Sequence, residues 1–313
     1  MTKDNIDSVD SAKNFCTVSG RPLVIGTGTG TKWQWLKKGR PIEERNKPIQ
    51  ELIDQLLLAL NNGYYHIDTA EIYTTHPEVA EAVKQSGIKR EDLWITSKYN
   101  PYRQVTAAEA IKSTLAELQT DYLDLYLIHA PFFEDEASYS IEMAWKEIIE
   151  AKKQGKIRYI GVSNFSIPNL ERIFKAFEPE FYPVVNQIEF HAYLQNQSAG
   201  ITDYCKKRNI LLEAYAPLTP LFRIQSGEAD TEGDPLRKIL PALSDKYQKT
   251  DSQILLRYAL QKGYLPITTS SKVQRIRETL AIYEFELSAD DVALIDKQGS
   301  TFHFRSFFNS NFD

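Results

Sequence analysis

Seven polar residues stand at or just past the C-terminal ends of short apolar runs: Asp68, Lys98, His129, Ser163, Asn164, Gln187 and Tyr215. Asp68 ends His66-Ile67-Asp68-Thr69-Ala70, Tyr73 follows five residues on, and Lys98 ends Trp94-Ile95-Thr96-Ser97-Lys98. An ammonium beside a phenol favours the phenolate and so lowers the tyrosine pKa from about 10, while a carboxylate keeps the lysine charged and oriented. Tyr73 is then a workable general acid. A buried Asp68–Lys98 ion pair with Tyr73 as an ordinary loop aromatic is an equal reading of those three residues. His129 decides between them: it closes Tyr126-Leu127-Ile128-His129, where an imidazole can orient a carbonyl oxygen and share the proton.

Such residues meet only if the strands that carry them converge. Apolar spacing predicts helices over Ile49–Leu60, Glu78–Ser86, Ala107–Leu118, Ile141–Gln154, Asn169–Ala176, Thr202–Arg208 and Ser252–Gln261. Strands are predicted over Tyr65–Asp68, Leu93–Ser97, Leu123–His129, Tyr159–Ser163, Val184–Ile188, Leu211–Tyr215 and Leu265–Thr268. Counting the glycine-rich run after Ile25 as the first strand, strand and helix alternate about eight times, which favours a (β/α)8 TIM barrel. A doubly wound open sheet is second choice. Phe15–Val18 and Leu23–Ile25 around Ser19-Gly20-Arg21-Pro22 read as an N-terminal β-hairpin. Long C-terminal-face loops are expected at Thr31–Lys47 and Leu218–Asp234, with a tail after Asp296, as lids over a site.

The chain has 313 residues, 42% hydrophobic and 25% charged, enough for a large core. Residues 1–13 read as a loose tail and 14–313 as a single barrel domain. A net charge of -5 argues against a nucleic-acid partner. Cys16 and Cys205 stand alone, without disulfide or zinc spacing, and no metal is implied. No secretory signal or apolar run of about 18 residues occurs, so a cytoplasmic location away from membranes is expected. Whether the chain is a monomer or a dimer is not legible.

These segments resemble the aldo-keto reductase superfamily along nearly the whole chain, and with it the yeast conjugated polyketone and α-keto amide reductases. The resemblance implies NADPH, with NADH less favoured, and a tetrad of Asp68, Tyr73, Lys98 and His129. It places Ser163, Asn164 and Gln187 on the nicotinamide carboxamide, Tyr215 under its ring, and Gly30, Thr31 and Lys32 near the nicotinamide and substrate. Ala216, Leu218 and Arg223 belong to the cofactor set too, Arg223 lying where relatives carry an acidic strap residue. Pro266–Glu278 resembles the adenosine-phosphate segment, giving Thr269, Ser270, Ser271, Lys272, Arg275 and Glu278. Thr269 replaces a usual lysine and Thr279 a usual asparagine. The implied reaction moves the 4-pro-R hydride to a small-molecule carbonyl while Tyr73 protonates the oxygen. Activated ketones such as isatin or ketopantoyl lactone are the expected substrates. Trp33, Tyr102, Phe132 and Phe133 are expected to line the mouth.

Gly26-Thr27-Gly28-Thr29-Gly30 looks like a phosphate loop but has neither the G-x-G-x-x-G register nor a Gly-Lys-Ser/Thr ending. Tyr258 and Lys262 match the YxxxK of short-chain dehydrogenases, yet they sit in an amphipathic helix pattern without a nucleotide loop. A non-catalytic NADPH-binding subunit of the same fold is the remaining alternative.

Overall fold

In the computed structural model, which describes residues 12, 14–44, 47–103, 105–224 and 234–312, eight parallel strands close into a barrel in chain order. They are β1 (Gly26–Gly28), β2 (His66–Asp68), β3 (Trp94–Tyr99), β4 (Leu123–Ile128), β5 (Ile157–Ser163), β6 (Val185–Glu189), β7 (Leu211–Tyr215) and β8 (Tyr264–Thr268). Because β1 pairs with both β2 and β8, the sheet has no edge and the open doubly wound alternative is excluded. Glycine makes that closure feasible. A Cβ on Gly26 would stand 2.7 Å from Ile267 Cδ1 and 2.8 Å from His66 Nδ1. The glycine-rich run is thus a barrel strand, not a phosphate cradle.

Helices α2 (Gln50–Asn61) and α3 (His76–Ser86) follow β1 and β2, and further helices cover the outside. Their starts are chemically marked: Thr106 with Glu109 and Thr250 with Gln253 form reciprocal capping boxes that satisfy otherwise unpaired backbone N–H groups. The apolar helix faces meet the outer strand faces in one core containing Trp145, Tyr126 and Leu123. Among the described residues no helix is long and apolar enough to cross a membrane.

Four expectations need correction. Residues 32–38, read as loop, form helix α1 (Lys32–Lys38). Its buried positions are Trp33 and Lys37, so a charge stands where an apolar residue would have signalled a helix. Lys37 Nζ donates to both Glu78 carboxylate oxygens, at 2.7 and 2.9 Å, and Glu78 also accepts the Ile49 N–H at 3.0 Å. Instead of a loose lid, this part of the mouth is clamped to α3. Second, a helix over Pro235–Tyr247 escaped notice because Pro241 lies inside it; Asp234 caps it through the Leu236 and Arg237 N–H groups. Third, the supposed tail after Asp296 continues a helix to Gly299 and ends in another at Asn309–Phe312. Fourth, the N-terminal hairpin is shorter than expected: a single antiparallel bridge, Cys16 to Pro22, flanked by the Thr17 N–H donating to the Arg21 carbonyl at 2.9 Å and the Leu23 N–H donating to the Phe15 carbonyl at 2.8 Å. The expected tail, apart from residue 12, and the loop residues 225–233 lie outside the described residues.

Candidate active site

The strand register brings Asp68, Lys98 and Gln187 into the barrel's C-terminal end. Lys98 is fully buried; its Nζ donates to Asp68 Oδ1 at 2.6 Å and to the Thr69 carbonyl at 2.9 Å. Tyr73 closes a single 3-10 turn, Glu71–Tyr73, and its ring centroid lies 5.3 Å from that ammonium. The Tyr73 hydroxyl is 3.5 Å from His129 Nε2, and the two rings meet edge to face. Both side chains are partly exposed to a cleft of about 550 Å³.

The electrostatics differ in one respect from the sequence expectation. Burial raises the Tyr73 phenol above its ordinary pKa, and the Lys98 charge, pulling the other way, only offsets part of that rise. Burial likewise would lower Lys98, but Asp68, Tyr73 and Glu213 outweigh it and the ammonium is held above the usual lysine range. His129 is pulled well below its ordinary value by burial and by the positive charges of Lys98 and Lys38, so the imidazole is neutral at pH 7.

A second polar set flanks the first. Ser163 Oγ donates to the Gln187 carbonyl at 2.7 Å, and Asn164 Nδ2 donates to the His129 carbonyl at 2.8 Å. Asn164 Oδ1 accepts from the Tyr215 hydroxyl at 2.7 Å and from Gln197 Nε2 at 2.9 Å. Asn164 is therefore locked on both sides. Eight non-glycine residues among those described have positive φ; four of them, Thr31, Asn164, Ala216 and Phe308, line this cleft. Left-handed backbone disfavours side chains, and such conformations concentrate where a site needs a fixed shape.

Gly30, Thr31, Lys32, Leu218, Arg223, Thr269 and Arg275 also border the cleft. A neighbouring cleft of about 570 Å³ shares Leu218, Phe222, Thr268, Thr269 and Arg275 with it and adds Ser270 and Glu278. Ser271 and Lys272 are exposed at the start of the Val273–Leu280 helix and border neither cleft. Both departures in this segment have local partners: Thr269 Oγ1 accepts from Gln55 Nε2 at 2.7 Å, and the Thr279 hydroxyl lies 2.8 Å from that of Tyr64.

Of the expected mouth aromatics, Trp33 and Tyr102 line the cleft. Phe133 does not; its ring packs with Tyr99 and Tyr139 at the core. Phe132 lies behind the wall, against Phe308 and Phe312 of the C-terminal segment.

Residues 22–299 match the aldo/keto reductase family. This chain belongs to the aldo/keto reductase family. An NADPH-dependent alpha-keto amide reductase of Saccharomyces cerevisiae is 40% identical over 283 residues, 89% of this chain and 87% of the relative. An NAD/NADP-dependent indole-3-acetaldehyde reductase of Schizosaccharomyces pombe is 37% identical, covering 85% and 90% of the two chains. The crystal structure of a Bombyx mori aldo-keto reductase in complex with NADP superposes with a TM-score of 0.73, at 29% identity over 90% of this chain and 91% of that one.

As an aldo/keto reductase the chain is an oxidoreductase that acts on carbonyls with NAD(P)H. Its own residues fit such a cofactor. Two abutting clefts suit an elongated ligand, polar amides converge in one of them, and a strand-to-helix turn with Arg275 stands where the two meet. The short-chain dehydrogenase motif has a structural job in this aldo/keto reductase. The Tyr258 hydroxyl and Lys262 Nζ donate to the two oxygens of Asp296, at 2.6 and 2.8 Å, fastening the Ala289–Gly299 helix.

The sequence reading missed the roof of the site. Glu189, at the end of β6, accepts the backbone N–H groups of Ser306 and Phe307 at 2.8 and 3.1 Å, bringing Phe307 and Phe308 to the cleft. The signal was Glu189 itself, two residues beyond Gln187 and so on the same strand face. Gly30 also lies directly against the phenol: a Cβ there would lie 2.8 Å from Tyr73 Cζ and 2.9 Å from Cε2. Gly30→Ala forces the phenol to tilt, and steady-state kinetics should show kcat reduced by about 10–100-fold. An unchanged kcat would show that the ring does not depend on that bare backbone.

Proposed function

We propose that this aldo/keto reductase uses NADPH to reduce activated ketones, such as conjugated polyketones, α-dicarbonyls and α-keto amides or esters, to hydroxy compounds, with Tyr73 as general acid. The observation that carries the reading is the Asp68–Lys98 pair beneath a phenol that shares the cleft floor with a neutral imidazole. Tyr73 gives its proton to the carbonyl oxygen. His129 Nε2, in the tautomer that carries the hydrogen, donates to the same oxygen and fixes its place. Lys98 stabilises the phenolate left behind, and Asp68 keeps Lys98 charged and directed. The dihydronicotinamide, when bound, supplies the hydride that reduces the carbonyl carbon.

Ser163, Asn164 and Gln187 hold the carboxamide, and Tyr215 gives the ring a flat face. Gly30, Thr31, Lys32, Ala216, Leu218 and Arg223 border the middle of the cofactor. Ser270, Ser271, Lys272 and Arg275 take the 2′-phosphate, Glu278 lies by the adenosine, and Thr269 contributes less because Gln55 already engages it. The likeness to an α-keto amide reductase, together with Ala130 directly after His129, supports room for a dicarbonyl. Trp33, Tyr102, Phe307 and Phe308 give that room apolar walls.

Steady-state turnover of isatin, ketopantoyl lactone and an α-keto amide with NADPH and with NADH tests the reading. Turnover with NADPH at lower KM than NADH is expected; tight NADPH binding without turnover on any ketone would replace it with a binding role. Arg275→Ala should raise KM for NADPH about 10–100-fold, the worth of a charge-assisted hydrogen bond, and leave KM for NADH nearly unchanged. Equal losses with both cofactors would remove Arg275 from 2′-phosphate recognition.

A further inference from the structure

Glu213 is buried in the barrel interior on β7, in register with Gln187 on β6. Gln187 Nε2 lies 2.8 Å from Glu213 Oε2 and 2.8 Å from Asp68 Oδ2, so the two hydrogens of one amide join two carboxyl groups. Asp68 spends its other oxygen on Lys98, at 2.6 Å. Glu213 Oε1 is buried without a hydrogen-bond partner. No step of the reduction described above uses this carboxyl group.

A side-chain amide can face either way unless its neighbours discriminate between its oxygen and its nitrogen. Two carboxyl oxygens do so: both N–H bonds of Gln187 must turn to them, which leaves Oε1 as the amide's acceptor. We propose that Glu213 is a positioning residue for carbonyl reduction, acting through Gln187, whose amide it orients toward the cofactor carboxamide, and through its charge on the Asp68–Lys98 pair. The orienting part rests on the NADPH reading; the charge part does not.

The charged groups facing Glu213 are Asp68 from β2 and Lys98 from β3, with neutral Gln187 on β6 and the uncharged Leu265 paired with it on β8. Two carboxyls thus share one ammonium. Burial first, and then the Asp68 charge, push the Glu213 carboxyl up to about 7. Below that pH the group is neutral; above it, a second negative charge offsets part of the Lys98 field that makes Tyr73 a better acid. Reduction is therefore expected to fall several-fold as pH rises through about 7.

The same carboxyl links pH to stability. Its folded pKa lies above the unfolded value of about 4.3, so between these values the folded chain holds the extra proton. The stabilisation is complete at low pH and is lost as pH rises through about 7.

The test compares the wild-type chain with Glu213→Gln, which keeps an acceptor for Gln187 but cannot ionise, and with Glu213→Leu, which removes both. Without cofactor, the Tm of Glu213→Gln minus that of the wild type should grow by several degrees from pH 5 to pH 8. In turnover, Glu213→Gln should lose the step near pH 7, and Glu213→Leu should raise the Kd for NADPH about tenfold, with Glu213→Gln restoring most of it. A Tm difference independent of pH would overturn the charge role, and NADPH affinities equal in the two variants would overturn the orienting role. Should Glu213→Leu fail to fold, the Gln variant's Tm difference and pH profile still decide. A wild-type enzyme inactive on every ketone counts against the functional reading alone, because the Tm comparison needs no turnover.

Discussion

Replacing Tyr73 by phenylalanine should lower kcat for ketone reduction by about 10²–10⁴-fold, the usual contribution of a positioned general acid. The ring keeps its packing against Gly30 and its edge-to-face contact with His129. Only the hydroxyl is lost, and its contact with His129 Nε2 is long at 3.5 Å. Folding stability and NADPH Kd should therefore change little, so the loss falls on kcat. Single-turnover rates together with cofactor titration measure the two parts separately. A variant that keeps more than roughly a tenth of the wild-type rate would mean that another group delivers the proton.

Lys98→Met has the second large effect and a different signature. Methionine fills similar space, but the interior then keeps Asp68 without its cation and Glu213 nearby. Breaking a buried pair by removing one partner costs about 3–5 kcal/mol, which for a chain of this size corresponds to a fall in Tm of the order of 10 °C. Tyr73 also loses the charge that favours its phenolate, so reduction falls with stability. The double variant Asp68→Leu/Lys98→Met separates the causes: below about pH 7, where Glu213 is uncharged and no charge is stranded, it should regain most of the Tm and remain as inactive as the single variant. Calorimetry and turnover on the same preparations decide. If the double variant is no more stable than Lys98→Met, the stranded carboxylate is not what destabilises it.

Much of this was legible because function and fold share a period. Asp68, Lys98, His129, Ser163 and Gln187 each interrupt an apolar run at its C-terminal end, and parallel strands in one barrel bring such ends together. What escaped reading broke that period. The α1 helix was hidden because Lys37, a buried cation, sits where an apolar residue would have announced a helix, and its partner Glu78 is 41 residues away. The Pro235–Tyr247 helix was hidden by Pro241. The roof was hidden because Phe307 and Phe308 reach the cleft through backbone bonds to Glu189, and contacts between main chain and a distant carboxylate leave no pattern in composition. Phe133 was misplaced for the converse reason: an aromatic just after a strand end has equal access to core and mouth, and Tyr99 and Tyr139 draw it into the core.

The left-handed residues divide the molecule into two kinds of ground for anyone seeking a hardier enzyme. Gln119 and Gln248 hold positive φ at helix ends, where the backbone bend is generic and glycine is the natural occupant. Thr31, Asn164, Ala216 and Phe308 hold it on the cleft wall, where the bend sets the shape of the cavity. Heat resistance and turnover can thus be improved at separate addresses. Relaxing the helix ends leaves the working surface untouched, whereas relaxing the rim exchanges shape for robustness.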